Sequence, residues 1–274
     1  MLLCHVLMTR FNLATPGREV AYRTRPGWLE SRFALFERYC HPSIAAQTQQ
    51  DFQWLIYFDD QTPDWARRRV EELQRIRPFH ACYTPMFDGS GWVRTLRELI
   101  GGPVPGRIVI TSNLDNDDAL ARDYIARVQA AAARVPEPRY AVNLPDGFVL
   151  SGRQLFGHRH LQNAFTNMVE QDSESIGTTM AIRHMELLET VPVVQAEGPG
   201  GWLQVVHDGN VSNRIRGRRV GQAEALDRFP DAVIGPIDDP APWQRLVEFL
   251  ALGPMRALRD RAFKLARKII PVDR

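Results

Sequence analysis

Asp115, Asn116, Asp117 and Asp118 put three carboxylates into four consecutive residues. Such groups repel one another, and leaving them unpaired is costly. A hard divalent cation removes that cost. Mg²⁺ or Mn²⁺ takes oxygen ligands, commonly one or two carboxylates together with phosphate oxygens of a bound substrate. A cation held there can bridge a diphosphate and stabilise the charge that develops as it leaves. The competing reading is an N-cap for a helix starting at Ala119, which accounts for one aspartate but not three. A calcium loop of the EF-hand kind fits less well, because no glycine lies five residues after Asp115 and no suitable glutamate closes the loop.

His207 is a second candidate metal ligand or phosphate donor, with a satisfied structural histidine as its alternative. It precedes Asp208, Asn210, Ser212, Asn213, Arg214 and Arg216, a polar run suited to a nucleotide. The two arginines carry the guanidinium fork that matches phosphate geometry, or they are ordinary surface arginines. Asp59 and Asp60 can accept from a nucleobase or ribose, or form a turn before Pro63. Thr9, Arg10 and Asn12 follow the first apolar run. Arg94 lies just past the Gly89-Ser90-Gly91 turn, within reach of a diphosphate or simply on a helix surface. Trp92 and Trp202 can stack on a sugar or base, although core packing is the better account of either alone. Asp172, Glu174 and Asp208 are candidates for the base that takes a proton from an attacking hydroxyl.

These residues need elements to position them. Residues 2–7, 52–58 (FQWLIYF) and 107–112 (RIVITS) are apolar runs of strand length, and 82–87 is a weaker one. Between them, residues 28–39, 64–76 and 92–100 show helical spacing, and a helix is expected over 119–134. Pro42 is expected to end the first helix. The alternation predicts an α/β domain with a mostly parallel central sheet flanked by helices. Ligands bind such sheets at the carboxyl ends of the strands. The clusters at 9–12, 59–60 and 115–118 all fall at predicted strand ends, which argues for a single site.

The second half is less regular. A hairpin is expected from 140–143 and 147–150, a strand over 177–182, a helical turn over 183–188 and a strand over 202–207. The tail from 254 to 268 carries a short apolar stripe with a basic remainder, the pattern of a helix lying on an anionic membrane or packed on its own domain. The organisation predicted is a domain over 1–240, with a nucleotide-binding half (1–135) and an acceptor half (136–240), and a helical tail over 241–274.

The 274 residues are ample for a large core without disulfides. Three cysteines, an odd number with no C-x-x-C pair, read as free thiols in a reducing compartment rather than metal ligands. A net charge of +2 gives no electrostatic case for a nucleic-acid partner. No apolar stretch reaches 18 residues, and the start lacks the features of a signal peptide. The expected location is cytoplasmic, at most peripheral on the inner face of a membrane.

Five stretches, 5–13 (HVLMTRFNL), 28–48, 52–63 (FQWLIYFDDQTP), 110–120 (ITSNLDNDDAL) and 202–217 (WLQVVHDGNVSNRIRG), resemble the rhamnosyltransferase family of bacterial polysaccharide synthesis, a GT-A-like glycosyltransferase group. The resemblance implies a nucleotide-sugar donor such as dTDP-L-rhamnose, and a glycan or lipid-linked glycan acceptor. It implies a DxD role for Asp115 and Asp117, the first meeting the ribose and the last the metal. It places Asp59 where relatives read the base and His207 near the diphosphate. Direct displacement at the anomeric carbon, with inversion, is the chemistry implied. Asp208 stands where the family has glycine, and Glu174 precedes the strand-like segment at 177–182, where acceptor-side residues lie in GT-A folds, so Glu174 ranks ahead as the base. A sugar-1-phosphate nucleotidyltransferase is the rival enzyme, disfavoured because TRFNLATPG lacks a glycine-rich phosphate loop. A non-catalytic glycan-binding module is the other rival.

Overall fold

The computed structural model describes residues 2–13, 23, 25–85, 91–134, 137–181, 190–207 and 214–260. Four strands and their crossover helices build the first half. They are β1 (Leu2–Arg10), α1 (Trp28–Leu35, continuing through Phe36–Cys40 and His41–Ala45), β2 (Gln53–Asp59), α2 (Asp64–Ile76), β3 (His80–Thr84), α3 (Gly91–Ile100) and β4 (Arg107–Asn113). β1 pairs in parallel with β2 and β4, and β2 with β3. The main sheet has the order β10-β6-β9-β4-β1-β2-β3, with β6 (Arg139–Asn143), β9 (Asn167–Gln171) and β10 (Val193–Gln195). Only β9 runs against its neighbours. The expected α/β class with a mostly parallel sheet is therefore what the chain forms.

Both faces of this sheet are covered, which is why its strands read as continuous apolar runs rather than alternating ones. Leu7, Ile56, Phe58 and Ile110 pack on one side with Phe33 and Phe36 of α1. Val6, Met8, Leu55, Tyr57 and Val109 pack on the other with Leu96 and Ile100 of α3.

A second sheet, of order β12-β8-β7-β11-β5, stands beside it. Its strands are β5 (Ala119–Leu120), β7 (Asp146–Ser151), β8 (Gln154–Arg159), β11 (Trp202–Val206) and β12 (Arg218–Val220). Its own core joins Phe148, Leu150, Leu203 and Val205 to Phe229 and Val233. Gly147 is required where β7 passes Trp202, because a Cβ there would sit inside the indole.

Several boundaries differ from expectation. The helix expected at Ala119 starts at Tyr124, as α4 (Tyr124–Ala132), because Ala119 and Leu120 pair antiparallel with Leu203 and Trp202 instead. Pro42 does not stop α1: the wide turn Phe36–Cys40, in which His41 N–H reaches back to Phe36 O, carries the chain past the proline. β6 and β7 are not a hairpin but join different sheets; β7 and β8 form the hairpin, turning at Gly152. The weak third strand is displaced to His80–Thr84. Residues 177–181 form no strand, with a turn at 179–181, and 182–188 lie outside the described residues. Toward the end, α5 (Asp231–Ile234) precedes α6, which begins as Pro242–Val247, widens over Glu248–Leu252 and is helical to residue 260. Among the described residues, no helix is long and apolar enough to cross a membrane.

Candidate active site

Register brings the acidic turn to the carboxyl edge of the main sheet. Asn113, the last residue of β4, is level with Met8 of β1, and Leu114 N–H bonds to Met8 O at 3.1 Å. The next four residues then cross over the ends of β1 and β11. Asn116 fixes that path, since its amide donates to Arg10 O (3.0 Å) and Phe11 O (2.5 Å).

Asp117 is 6% exposed, and its Oδ2 accepts from two sides. Arg32 Nη1, from α1, lies at 2.8 Å, and His207 Nε2, just past β11, at 2.9 Å. Arg32 also reaches Asn116 Oδ1 at 3.3 Å and sits over the Trp28 ring. Burial raises the Asp117 pKa, but the His207 hydrogen bond and the Arg32 charge outweigh it and hold the carboxyl below its ordinary value. Asp118 behaves in the opposite way. Burial, then the charges of Asp117 and Asp115, push it well above the carboxylate range, opposed by the Val205 N–H that donates to its Oδ1 at 2.8 Å. Asp118 is thus a strut between the turn and β11. Cys40 lies beneath the cluster, its thiol pushed well up by burial and by the three aspartates.

A cation fits the Asp117–His207 pair. Ligands adjacent in an octahedral shell with bonds of about 2.1 Å lie about 3 Å apart, the separation of these two atoms. Two protein ligands leave the remaining positions to phosphate oxygens and water. Among the described residues no group of three or more histidines, cysteines and carboxylates is arranged around a common point, so these two side chains alone would not fill a cation's shell. A cation on Oδ2 also has to compete with Arg32.

The remaining candidates divide. Asp115 is half-buried beside Asp117, and the Arg10 carbonyl holds the turn. Thr9 is fully buried, its hydroxyl accepting from the Trp54 indole at 3.0 Å, so it supports the sheet and does not face a ligand. Asn12 is likewise interior: its Nδ2 donates to Thr62 Oγ1 and its Oδ1 accepts from Asp59 N–H, bracing the turn after β2. Asp59 takes Arg23 Nη2 at 2.5 Å; burial raises its pKa, and Arg23 with the Gln61 amide lowers it overall. Asp60 is exposed and accepts a long bond from Gln61 at 3.3 Å. Arg94 is exposed on the first turns of α3, and Arg214 is half-buried. Asp208, Asn210, Ser212 and Asn213 lie outside the described residues. Trp202 is core, stacked on Phe165 with its N–H on Leu144 O; Trp92 packs edge-on against Tyr57.

Glu174 is displaced from the site by topology. β9 is antiparallel to β4, so Gln171 lies level with Ile108, at the opposite edge of the sheet from Asp115. Asp172 shares that edge and is consumed there by Arg97, Arg107 and the Val104 amide. Neither can act at the acidic turn. Arg32 and Asn116, which hold Asp117 in place, were not singled out by sequence. For Arg32 the available signal was its place four residues after Trp28 in a conspicuous helix, hidden by the chain's abundance of arginine.

Among solved structures, the chain is similar to S. aureus TarS 1–349 in complex with UDP-GlcNAc (TM-score 0.44, 11% identity, 78% of this chain and 62% of that one). It is also similar to the inositol-1-phosphate CTP transferase from T. maritima (TM-score 0.38, 9% identity, 86% of this chain and 98% of that one). The chain spans about three fifths of the length of TarS 1–349. None of the curated proteins matches it. Residues 4–219 match the model of the family described as "Putative rhamnosyl transferase", and the chain belongs to that family.

Proposed function

We propose that the protein transfers a sugar from a nucleotide diphosphate to a glycan or lipid-linked glycan, with inversion, and that the donor is dTDP-L-rhamnose. The observation that carries this reading is the convergence of Asp117 and His207, 2.9 Å apart, at the carboxyl edge of the parallel sheet. Membership of the family supports the transfer of rhamnose.

In this mechanism Asp117 Oδ2 and His207 Nε2 are the residues that would hold Mn²⁺ or Mg²⁺. Such a cation would supply Lewis acidity to offset the charge on a departing diphosphate. Asp115 takes the ribose side of the donor. Asp59, at the end of the neighbouring strand, accepts from the base, and Arg23 keeps it ionised. Residues 1–135 carry the nucleotide and 136–240 the acceptor. Asp208, next to His207, is left as the candidate to take the acceptor proton as oxygen attacks the anomeric carbon.

The test is donor hydrolysis across dTDP-, UDP- and GDP-sugars, with Mn²⁺ and with chelator. Release of nucleoside diphosphate, preferentially from dTDP-rhamnose, abolished by chelator and by Asp117→Ala, is expected. Absence of turnover with every donor, or turnover indifferent to chelator, overturns it.

A further inference from the structure

α6 is built inside out. Glu248 faces the protein and is only 5% exposed. Its Oε1 accepts from Arg219 N–H at 2.9 Å, and it pairs with Arg256. Arg256 Nε in turn donates to Gly217 O at 3.0 Å, and Arg259 Nη2 to Ile215 O at 2.8 Å. Polar side chains therefore fasten this helix to the segment 215–219. Its apolar side chains point the other way: Trp243 is 66% exposed, Leu246 58%, Leu250 66%, Met255 65% and Leu258 68%. The wide turn Glu248–Leu252 keeps these residues on one face, since it adds a residue between Leu250 and Met255. A surface helix normally buries its apolar stripe against the core. Here the core side is taken by an ion pair, and a contiguous apolar face is left outward.

Charge decides between the possible covers. Residues 241–274 hold eight arginines and lysines against three acids, including both lysines of the chain, whereas the remainder has 26 basic and 29 acidic residues. Arg218, Arg245 and Arg259 are exposed around the stripe, Arg218 lying over the Phe249 ring. Two copies of a basic face repel each other. An anionic lipid surface attracts it, and the exposed tryptophan and leucines enter the headgroup–acyl boundary. We infer that the α6 face seats the protein on an anionic membrane. The segment that α6 grips follows His207 in the chain, so the lipid-facing helix and the active-site histidine are joined by one short stretch of backbone. An acceptor carried on a lipid would be met at that surface.

The experiment is co-sedimentation of the full chain with vesicles of phosphatidylcholine alone and of phosphatidylcholine mixed with phosphatidylglycerol. Binding to the anionic vesicles, weakened by salt, and about tenfold weaker for Trp243→Glu/Leu250→Glu is expected. Both positions are exposed, so the variant should melt with the wild type and hydrolyse soluble donor equally well. No binding to anionic vesicles overturns the inference, as does equal partition of wild type and variant. A wild-type dimer that these substitutions dissociate, without any vesicle binding, assigns the face to a second copy instead.

Discussion

His207 Nε2 lies 2.9 Å from Asp117 Oδ2, although 90 residues separate them in the chain. The antiparallel pairing of β5 with β11 makes the contact: Ala119 opposite Leu203 fixes Asp117 near the far end of β11, and Asp118 is pinned to Val205 N–H between them. The acidic turn is therefore held by two sheets at once.

Arg32 bonds to the same oxygen and makes the first prediction specific. In Arg32→Ala, the buried Asp117 loses the guanidinium that bonds its Oδ2 at 2.8 Å, and stability without metal should fall by about 2 kcal/mol. The competition for Oδ2 is also gone, so Mn²⁺ should raise the melting temperature more than it does in wild type. His207→Ala should act oppositely, reducing Mn²⁺ affinity about tenfold or more. Thermal melts with chelator and with graded Mn²⁺ separate the two. A metal response in Arg32→Ala no larger than in wild type would refute the competition.

Glu174→Gln should leave donor hydrolysis and transfer unchanged. The register places Gln171 beside Ile108, five residues before Asn113, and strands rise about 3.3 Å per residue. Glu174 follows at that far edge and is exposed. A loss of kcat of about a hundredfold, the scale of a missing general base, would show that the acceptor is brought to the wrong side of this sheet.

The contrast between Glu174 and Asp117 shows what the sequence could convey. Runs such as FQWLIYF and RIVITS declare buried parallel strands, and the acidic run after the second declares a turn at the carboxyl end of that strand, because both signals are local. The direction of β9 is not local. An antiparallel strand inserted between β4 and β6 reverses which end of its loop faces the ligand, and no residue within 167–171 encodes that reversal. Ala119-Leu120 misled for the same reason: their partners are Leu203 and Trp202, more than 80 residues away, and tertiary pairing overrode a helical pattern. Arg32 was illegible because its meaning lies in the position of Asp117, not in its own neighbours.

Asp118 should tolerate amide but not methyl. In Asp118→Asn, the side-chain oxygen still accepts from Val205 N–H, and the fully buried position no longer carries an ionisable group. Its stability should match or exceed wild type. Asp118→Ala leaves that buried N–H unpaired, at a cost of about 1–3 kcal/mol. Urea denaturation of the two variants reads the difference directly. Equal losses in both would mean that charge, not the hydrogen bond, is what Asp118 provides.

The last prediction concerns acid. His5 is fully buried, and burial lowers its pKa from 6.5 to about 3. Its hydrogen bonds suit the neutral ring: the Gln129 amide nitrogen, which can only donate, lies 3.4 Å from Nδ1, leaving Nε2 to donate to Ser112 Oγ at 2.7 Å. Ser112 Oγ then donates to Asn167 Oδ1, so the chain of bonds runs in one direction. A second proton on Nδ1 would face a donor. The unfolded chain takes that proton below about pH 6.5, and the folded chain does not until about pH 3. The stability contributed by neutral His5 is thus fully present above pH 6.5 and drains away as pH falls toward 3, at up to about 1.4 kcal/mol per pH unit. In His5→Asn, which cannot titrate, that part of the slope should vanish even if the variant is less stable at neutral pH. Urea midpoints at pH 7, 6 and 5 for both proteins test this, and parallel lines for the two would show that His5 takes up its proton in the folded state as readily as in the unfolded one.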